Sequence, residues 1–146
     1  EASMNPKRGV SAYKQADVLT ASKETILLML YEGAIRFVRS GIEALEAGKI
    51  EERSKQFLRA QDIITELRCT LDFKAAKDIA ENLERLYEYA TDRLIQANIN
   101  HTAAPAHEAL KVLEELHSTW SQAISMLKKE KENEAKNATS SPVENK

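Results

Sequence analysis

Few residues of this sequence have the types and spacing that catalysis or metal binding requires. Glu114 and His117 show the Glu-x-x-His spacing of di-iron carboxylate sites in helical bundles. Such a site needs a second pair on another helix and two more inward glutamates, whereas neither His101 nor His107 has a glutamate three residues before it. We therefore predict that no metal ion and no cofactor is bound, and that His117 lies at the edge of a bundle.

The other reactive side chains give no better candidates for an active site. Cys69 is the single cysteine, which excludes a disulfide within the chain, and a packed thiol is the expected state for it. The sequence contains no Gly-rich phosphate loop and no Gly-x-Ser-x-Gly nucleophile motif. The sequence thus predicts a protein that is not an enzyme.

Composition and charge exclude further classes of function. The 146 residues fit one domain, and the net charge of -2 comes from interspersed acidic and basic residues, which does not favour nucleic acid or an anionic membrane as a partner. The sequence has no apolar run long enough to span a bilayer and no apolar leader at its start. We expect a cytoplasmic protein without membrane insertion.

The elements that must position any site are helices, and the first of them, residues 22–47, is unusually apolar. Of the 20 residues from Ile26 to Leu45, 13 are apolar and two more are glycine, whereas a core-facing bundle helix needs about three apolar positions in seven. Its charged residues form one narrow stripe that we expect to face water: Glu32, Arg36, Arg39 and Glu43. The rest of its surface must be covered, either by the same chain or by a partner.

The remaining pattern predicts three more helices. Ser22 is a suitable N-cap for helix 1 and Gly48 can end it, and so short a join to helix 2 (residues 50–71) makes the two antiparallel. Helix 3 begins between residues 73 and 79, with Asp72 or Asp78 as its cap, and helix 4 begins at Pro105. We predict an all-α fold, an antiparallel up-down four-helix bundle over residues 22–128, with a flexible N-terminal arm (1–21) and a disordered C-terminal tail (129–146).

The helical periodicity also predicts which side chains form the core. In helix 3 the apolar stripe contains Ile79, Leu83, Leu86, Ala90, Leu94 and Ala97, with Tyr87 and Tyr89 at its flanks. Across the bundle we expect these core residues: Leu30, Phe37, Ile64, Leu67, Leu83, Leu94, Leu113 and Trp120.

Several segments spread over the predicted helices together indicate a family: VLTAS (18–22), MLYEGA (29–34), LRAQDIITEL (58–67), IAENL (79–83), LYEY (86–89), RLIQAN (93–98) and WSQA (120–123). These segments resemble the FliS family of flagellar export chaperones, which hold flagellin before secretion. GVSAY (9–13) is similar to the family's Gly-Ile-x-Ala-Tyr arm, whose aliphatic residue and tyrosine are associated with docking at the export gate. The sequence departs from the family at Lys23, where a proline is usual, and at Ala75 and Ala76, where a glycine pair is frequent.

The resemblance implies a function for the excess apolar surface of helix 1. The protein would hold the C-terminal segment of flagellin in an apolar groove on helix 1, prevent premature polymerisation and deliver the flagellin subunit to the flagellar type III export gate. One chaperone monomer would bind one flagellin. The predicted partner-binding residues are Val10, Tyr13, Val18, Leu28, Tyr31, Ile35, Ile42, Leu86, Tyr87 and Ala90. The alternative is a structural or regulatory bundle that self-associates through helix 1, which an exposed apolar groove would serve equally well.

Overall fold

The computed structural model of the protein describes residues 22–144, with the side chains of residues 22–139. It contains four helices in chain order: α1 Lys23–Glu46, α2 Ile50–Cys69, α3 Lys77–Asn100 and α4 Ala104–Glu144. Helix α1 packs against α2 and α4, and α3 packs against the same two helices. Short connections between consecutive neighbours make this the predicted up-down four-helix bundle.

Both predicted ends of α1 are confirmed. The Ser22 hydroxyl accepts a hydrogen bond from the backbone N–H of Thr25 at 3.2 Å, which satisfies one of the free donors of the first turn. Gly48 has a φ of +73°, a left-handed conformation that costs glycine little because it has no β-carbon. The chain therefore reverses within three residues and α2 runs back along α1.

The start of α3 at Lys77 lies within the predicted range of residues 73–79, but neither predicted cap, Asp72 or Asp78, caps the helix. Ala76 occupies its N-cap position and makes no side-chain cap. Asp72 instead accepts hydrogen bonds from the backbone N–H groups of Lys74 and Ala75, each at 3.0 Å. Because an aspartate bonds readily to the backbone two residues ahead, Asp72 orders the loop between α2 and α3 and is not available to cap the helix.

The core extends along all four helices. Its largest fully buried side chains are Tyr31, Val38, Phe57, Ile64, Leu67, Tyr87, Leu94 and Leu113. Among the predicted core residues, Leu83 is also buried, while Leu30, Phe37 and Trp120 are half-buried and pack against the core from its edge. The predicted register of the bundle is therefore correct for its centre.

The core face of α3 is rotated relative to the prediction at its N-terminal half. Ile79 and Leu86 are exposed, and their neighbours Ala80 and Tyr87 are buried in their place. Tyr87 can be buried because its hydroxyl is hydrogen-bonded to that of Tyr31 on α1, and a buried tyrosine requires such a partner. Tyr87 is thus a core residue and not a flanking one.

Helix α4 is longer than predicted. It continues to Glu144, which is 16 residues beyond the predicted end of the bundle at residue 128. Residues 125–139 are all exposed, so the helix extends into the segment predicted to be disordered without packing into the core. Its Lys, Glu and Ala residues are strong helix formers, which favours helix even where no apolar stripe exists.

The charged stripe of α1 faces water as predicted, on the side next to α4. Glu32, Arg36, Arg39 and Glu43 are all exposed. Glu32 lies 3.0 Å from Nε2 of His117, and Arg39 forms an ion pair with Glu114. These two contacts set α4 antiparallel to α1, with Trp120 near the beginning of α1.

Candidate binding groove

An apolar groove with a volume of about 540 Å³ opens at the end of the bundle where α1 and α3 begin and α2 ends. It is lined by the first two turns of α1, the α2–α3 loop, the first half of α3 and Trp120 of α4. The apolar residues that line it are Ile26, Leu27, Leu30, Leu71, Ala75, Ala76, Ile79, Ala80, Leu83, Tyr87 and Trp120. We call this site the binding groove.

The floor of the binding groove is a continuation of the core. Leu27 and Leu30 precede the buried Tyr31 and Ala34 at helical spacing, and together with Trp120 they pack against the core while remaining half-exposed. From Tyr31 onward the apolar face of α1 is covered by α2 and α4. The excess apolar surface of α1 is therefore covered within the chain, except in its first two turns.

The rim of the binding groove carries polar groups and one prominent apolar side chain. Lys23, Glu24 and Asp72 lie at its edge. Ile79 also lines the groove and leaves 59% of its surface in contact with solvent. An apolar interior with a polar edge is the usual composition of a protein-binding surface.

Tyr87, which lines the binding groove, is paired with the buried Tyr31 of the core. The hydroxyls of Tyr31 and Tyr87 are hydrogen-bonded to each other, and their ring centroids are 6.4 Å apart. Burial raises the pKa of Tyr31, and the hydrogen bond with Tyr87 partly opposes that rise. Burial also raises the pKa of Tyr87, with the charge on Tyr31 and the hydrogen bond between them adding to it. Both hydroxyls therefore keep their protons at neutral pH.

The opposite end of the bundle holds a polar cluster that links α2 to the end of α3. The buried Arg53 donates hydrogen bonds to Oδ1 of Asn98 at 2.8 Å, to the Asn98 carbonyl at 3.2 Å and to Nδ1 of His101 at 2.8 Å. His101 ends α3 in a left-handed conformation, with a φ of 56°. Because a cation is stabilised at a helix C-terminus, Arg53 caps the end of α3, and this structural role explains the cluster.

The reactive residues singled out in the sequence form no centre within residues 22–144. No group of three or more His, Cys, Asp or Glu side chains in that range could hold a metal ion. His117 lies at the α1–α4 edge, as predicted, and the structure places its Nε2 3.0 Å from a carboxylate oxygen of Glu32. Cys69 is exposed at the end of α2, and the prediction of a packed thiol is therefore wrong. The reason is that the buried face of α2 ends at Leu67.

None of the helices in the described part of the chain is apolar over a length that would cross a bilayer.

The predicted partner-binding residues are distributed over different environments. Val10, Tyr13 and Val18 lie outside the described residues. Tyr87 lines the binding groove. Tyr31, Ile35, Ile42 and Ala90 are buried in the core, and Leu28 and Leu86, half-buried and exposed respectively, do not line the groove. Their assignment as partner contacts stays a prediction, and burial in this conformation does not favour it for the four core residues.

The sequence interpretation missed most residues that line the binding groove. Ile79 and Trp120 were assigned to the closed core, and Ile26 and Leu27 were assigned to no site. One signal could have identified the α1 part: residues 26–30 are five consecutive apolar residues, which leaves no polar face on that turn. A helical turn that is apolar on every side needs apolar contacts beyond those that the bundle core supplies to one of its faces.

Comparison with known proteins decides the family. The family model described as flagellar protein FliS matches residues 6–127. The chain belongs to the FliS family. The FliS match includes every residue that lines the binding groove and ends at Leu127, close to where the side chains of α4 become continuously exposed.

Individual FliS proteins are similar over most of their length. The flagellar secretion chaperone FliS of Bacillus subtilis is 31% identical over 121 residues, which cover 83% of this chain and 90% of that protein. The Vibrio cholerae protein of the same name is 32% identical, covering 77% of this chain and 86% of its own length. That of Salmonella typhimurium is 31% identical, with coverage of 78% and 88%.

The fold is also similar to a solved structure. A crystal structure of a bacterial flagellar chaperone superimposes with a TM-score of 0.66 at 20% identity, covering 82% of this chain and 98% of that chain. The bundle described above is therefore the fold of a known flagellar chaperone.

Proposed function

We propose that the protein is a cytoplasmic export chaperone that holds the C-terminal segment of flagellin, prevents its premature polymerisation and delivers it to the flagellar type III export gate. Membership of the FliS family supports the chaperone class. The observation that carries the proposal is the binding groove, because it is the place in the described chain where the core itself opens to solvent.

The shape and chemistry of the groove favour a helical occupant. Its volume of about 540 Å³ falls in the range of ordinary ligand pockets, so it takes a few side chains and not a whole polypeptide segment. An amphipathic helix can insert such a set from one face, at steps of three and four residues. We infer that the groove anchors one apolar face of the flagellin segment, which orders as it binds.

The N-terminal arm has a role in the same proposal. The arm joins α1 at Lys23, and Lys23 itself lies on the rim of the groove. Val10, Tyr13 and Val18 are thus close enough in sequence to reach the groove floor. We propose that they occupy it in the free chaperone, that flagellin displaces them, and that the released Val10 and Tyr13 dock at the export gate.

The proposal is tested by mixing the protein with two forms of the flagellin encoded in the same genome, full-length and lacking its C-terminal segment, followed by size-exclusion chromatography. We expect a 1:1 complex with full-length flagellin, no complex with the truncated form, and a monomer when the chaperone is alone. A complex with both forms would place the contact elsewhere on flagellin, and a dimer of the free protein would favour self-association.

A matched pair of variants tests whether the binding groove is the site of contact. Ile79→Glu puts a charge on the exposed rim, and Leu58→Glu puts the same charge on an equally exposed leucine of α2, outside the groove. Neither residue is part of the core, so both variants are expected to fold. We expect Ile79→Glu to weaken flagellin binding at least tenfold, and Leu58→Glu to bind as the wild type. Equal affinities would exclude the groove.

A further inference from the structure

In the described part of the chain, a single wall of the binding groove continues past the open end of the groove, which we call its mouth. Helices α1 and α3 begin at the mouth, at Lys23 and Lys77, and α2 ends there at Cys69. Helix α4 instead passes the mouth and continues to Glu144. An occupant that is longer than the groove therefore leaves it either into water or alongside α4.

Two contacts between helices show where α4 passes the beginnings of its neighbours. The contact of Glu32 with His117, at 3.0 Å, places the first residue of α1 level with residue 126, because the two helices are antiparallel and rise equally per residue. The ion pair of Arg93 with Glu108, at 3.4 Å, places the first residue of α3 level with residue 124 in the same way. Helix α4 therefore projects beyond the bundle from about this level onward.

Most of the projecting part of α4 is polar, but its first turn is not. Met126 and Leu127 leave 65% and 47% of their surfaces in contact with solvent. The following residues, 128–141, contain no apolar side chain larger than alanine. The apolar surface of α4 thus continues just past the mouth of the groove and then ends.

Leu127 lies on the side of α4 that lines the groove. It follows the groove residue Trp120 by seven positions, which is nearly two full turns. Because side chains on a helix lean towards its N-terminus, that of Leu127 leans back towards the mouth. Met126 is turned from Leu127 by about 100° around the helix axis and shares its face with the exposed Thr119. Of these two apolar residues, Leu127 alone extends the surface of the groove.

We propose that Leu127 is the outermost contact of the binding surface, and that the occupant of the groove leaves it alongside the projecting part of α4. The inference rests on the proposed function, which makes that occupant an amphipathic helix in the C-terminal segment of flagellin. The groove, with a volume of about 540 Å³, takes only a few side chains of such a helix, so the next apolar side chain on the same face lies outside the mouth. Packing against Leu127 removes both side chains from water and strengthens binding.

The test compares two neighbouring substitutions in the full-length chain by their affinity for full-length flagellin. Leu127→Glu puts a charge on the face that continues the groove, and we expect a loss of about 5- to 20-fold. Met126→Glu is the matched control, because Met126 is at least as exposed and lies on another face of the same turn. Its affinity is expected to stay within about twofold of the wild type. Neither residue belongs to the core, so both variants should fold, which circular dichroism checks.

A second readout identifies what lies against Leu127. A photo-crosslinking amino acid placed at position 127 is expected to link to the C-terminal segment of bound flagellin, and the same group at position 126 is not. A link from position 127 to the N-terminal arm or to a second copy of the chaperone, in the presence of flagellin, would identify a different occupant and overturn the inference.

The two proposals fail in different ways. A wild-type protein that binds no flagellin refutes the proposed function. A wild type that binds flagellin, together with equal affinities for Leu127→Glu and Met126→Glu, refutes the contact at Leu127 alone.

Discussion

Gly41 of α1 lies against the ring of Phe57 of α2 so closely that a β-carbon on Gly41 would overlap the ring. Such a carbon would be 3.1 Å from Cζ of Phe57 and nearer still to two other ring atoms. Phe57 is fully buried, so its ring is packed on every side. The close approach of α1 and α2 at this level therefore depends on the absence of a side chain at Gly41.

Gly41→Ala is expected to lower the free energy of unfolding by about 1–3 kcal/mol, because the ring of Phe57 or the whole of α2 must shift. This loss outweighs the gain of about 1 kcal/mol that alanine normally brings to a helix interior. Urea denaturation followed by circular dichroism measures the difference.

Gly33→Ala is the matched control on the same helix. A β-carbon there would lie 3.1 Å from the end of the Ile63 side chain, which can move, and 3.8 Å from the guanidinium of Arg36, which is an ordinary contact. We expect Gly33→Ala to be neutral or stabilising. If both variants lose the same stability, the cost belongs to the helix backbone and not to the contact with Phe57.

Arg53→Lys is expected to destabilise the bundle by about 1–3 kcal/mol. An ammonium group cannot reproduce the planar set of donors that reaches both oxygens of Asn98 and the ring of His101, so buried acceptors lose their partner. Arg36→Lys, on the exposed stripe of α1, should change stability by no more than about 0.5 kcal/mol. Equal losses of unfolding free energy for the two variants in chemical denaturation would mean that the hydrogen bonds of Arg53 contribute nothing beyond its charge.

Stability should fall as the pH rises above about 10, the ordinary pKa of a tyrosine. Burial raises the pKa values of Tyr31 and Tyr87 in the folded state, so the folded protein keeps protons that the unfolded chain releases. Their contribution is complete below that pH and is lost as the pH rises towards the folded pKa values.

Urea unfolding from about pH 8 to about pH 11 measures this pH dependence. The double variant Tyr31→Phe/Tyr87→Phe should show a flatter decline, and Tyr89→Phe, which changes an exposed tyrosine, should decline like the wild type. A double variant as steep as the wild type would assign the loss to other groups.

Charge reversal along the exposed stripe of α1 should have little effect on the fold. For Arg36→Glu and Glu43→Lys we expect changes of no more than about 0.5 kcal/mol, as at other surface positions. Arg39→Glu also opposes Glu114 and should cost up to about 1 kcal/mol. None of the three should change flagellin binding, and loss of binding in a pull-down of two of them would show that the client lies on the α1–α4 side.

The arm and flagellin should compete for the binding groove. Deletion of residues 1–19 is expected to leave the bundle folded, to preserve or tighten flagellin binding by removing the competitor, and to abolish docking at the export gate. Hydrogen exchange of residues 10–19 should become faster when flagellin is bound. Rapid exchange that flagellin does not alter would mean that the arm does not cover the groove.

Local signals in the sequence predicted the elements well, and features that depend on distant contacts were missed. Ser22 and Gly48 determine the ends of α1 by their own chemistry, so both could be inferred. By contrast, Leu86 and Tyr87 are adjacent on α3, and which of them is the core residue could not be inferred from spacing. That choice depends on Tyr31, whose hydroxyl is 56 residues away in the chain.

The binding groove is a feature that depends on distant contacts. Its apolar residues have the same spacing as the rest of the core, and only the arrangement of the helix ends leaves Leu30 and Trp120 half-exposed. Periodicity assigns a residue to a face of a helix but does not show where along the bundle that face becomes open. The groove residues of α3 were for this reason predicted as closed core.

Because the floor of the groove and the core share residues, filling the groove also completes the packing of the bundle. A ligand that binds only the folded state raises the free energy of unfolding by about 2.7 kcal/mol at a concentration 100 times its dissociation constant. Loaded chaperone should thus melt at a higher temperature and resist proteolysis longer than empty chaperone. A cell without free flagellin would therefore contain the empty chaperone, which is the less stable form.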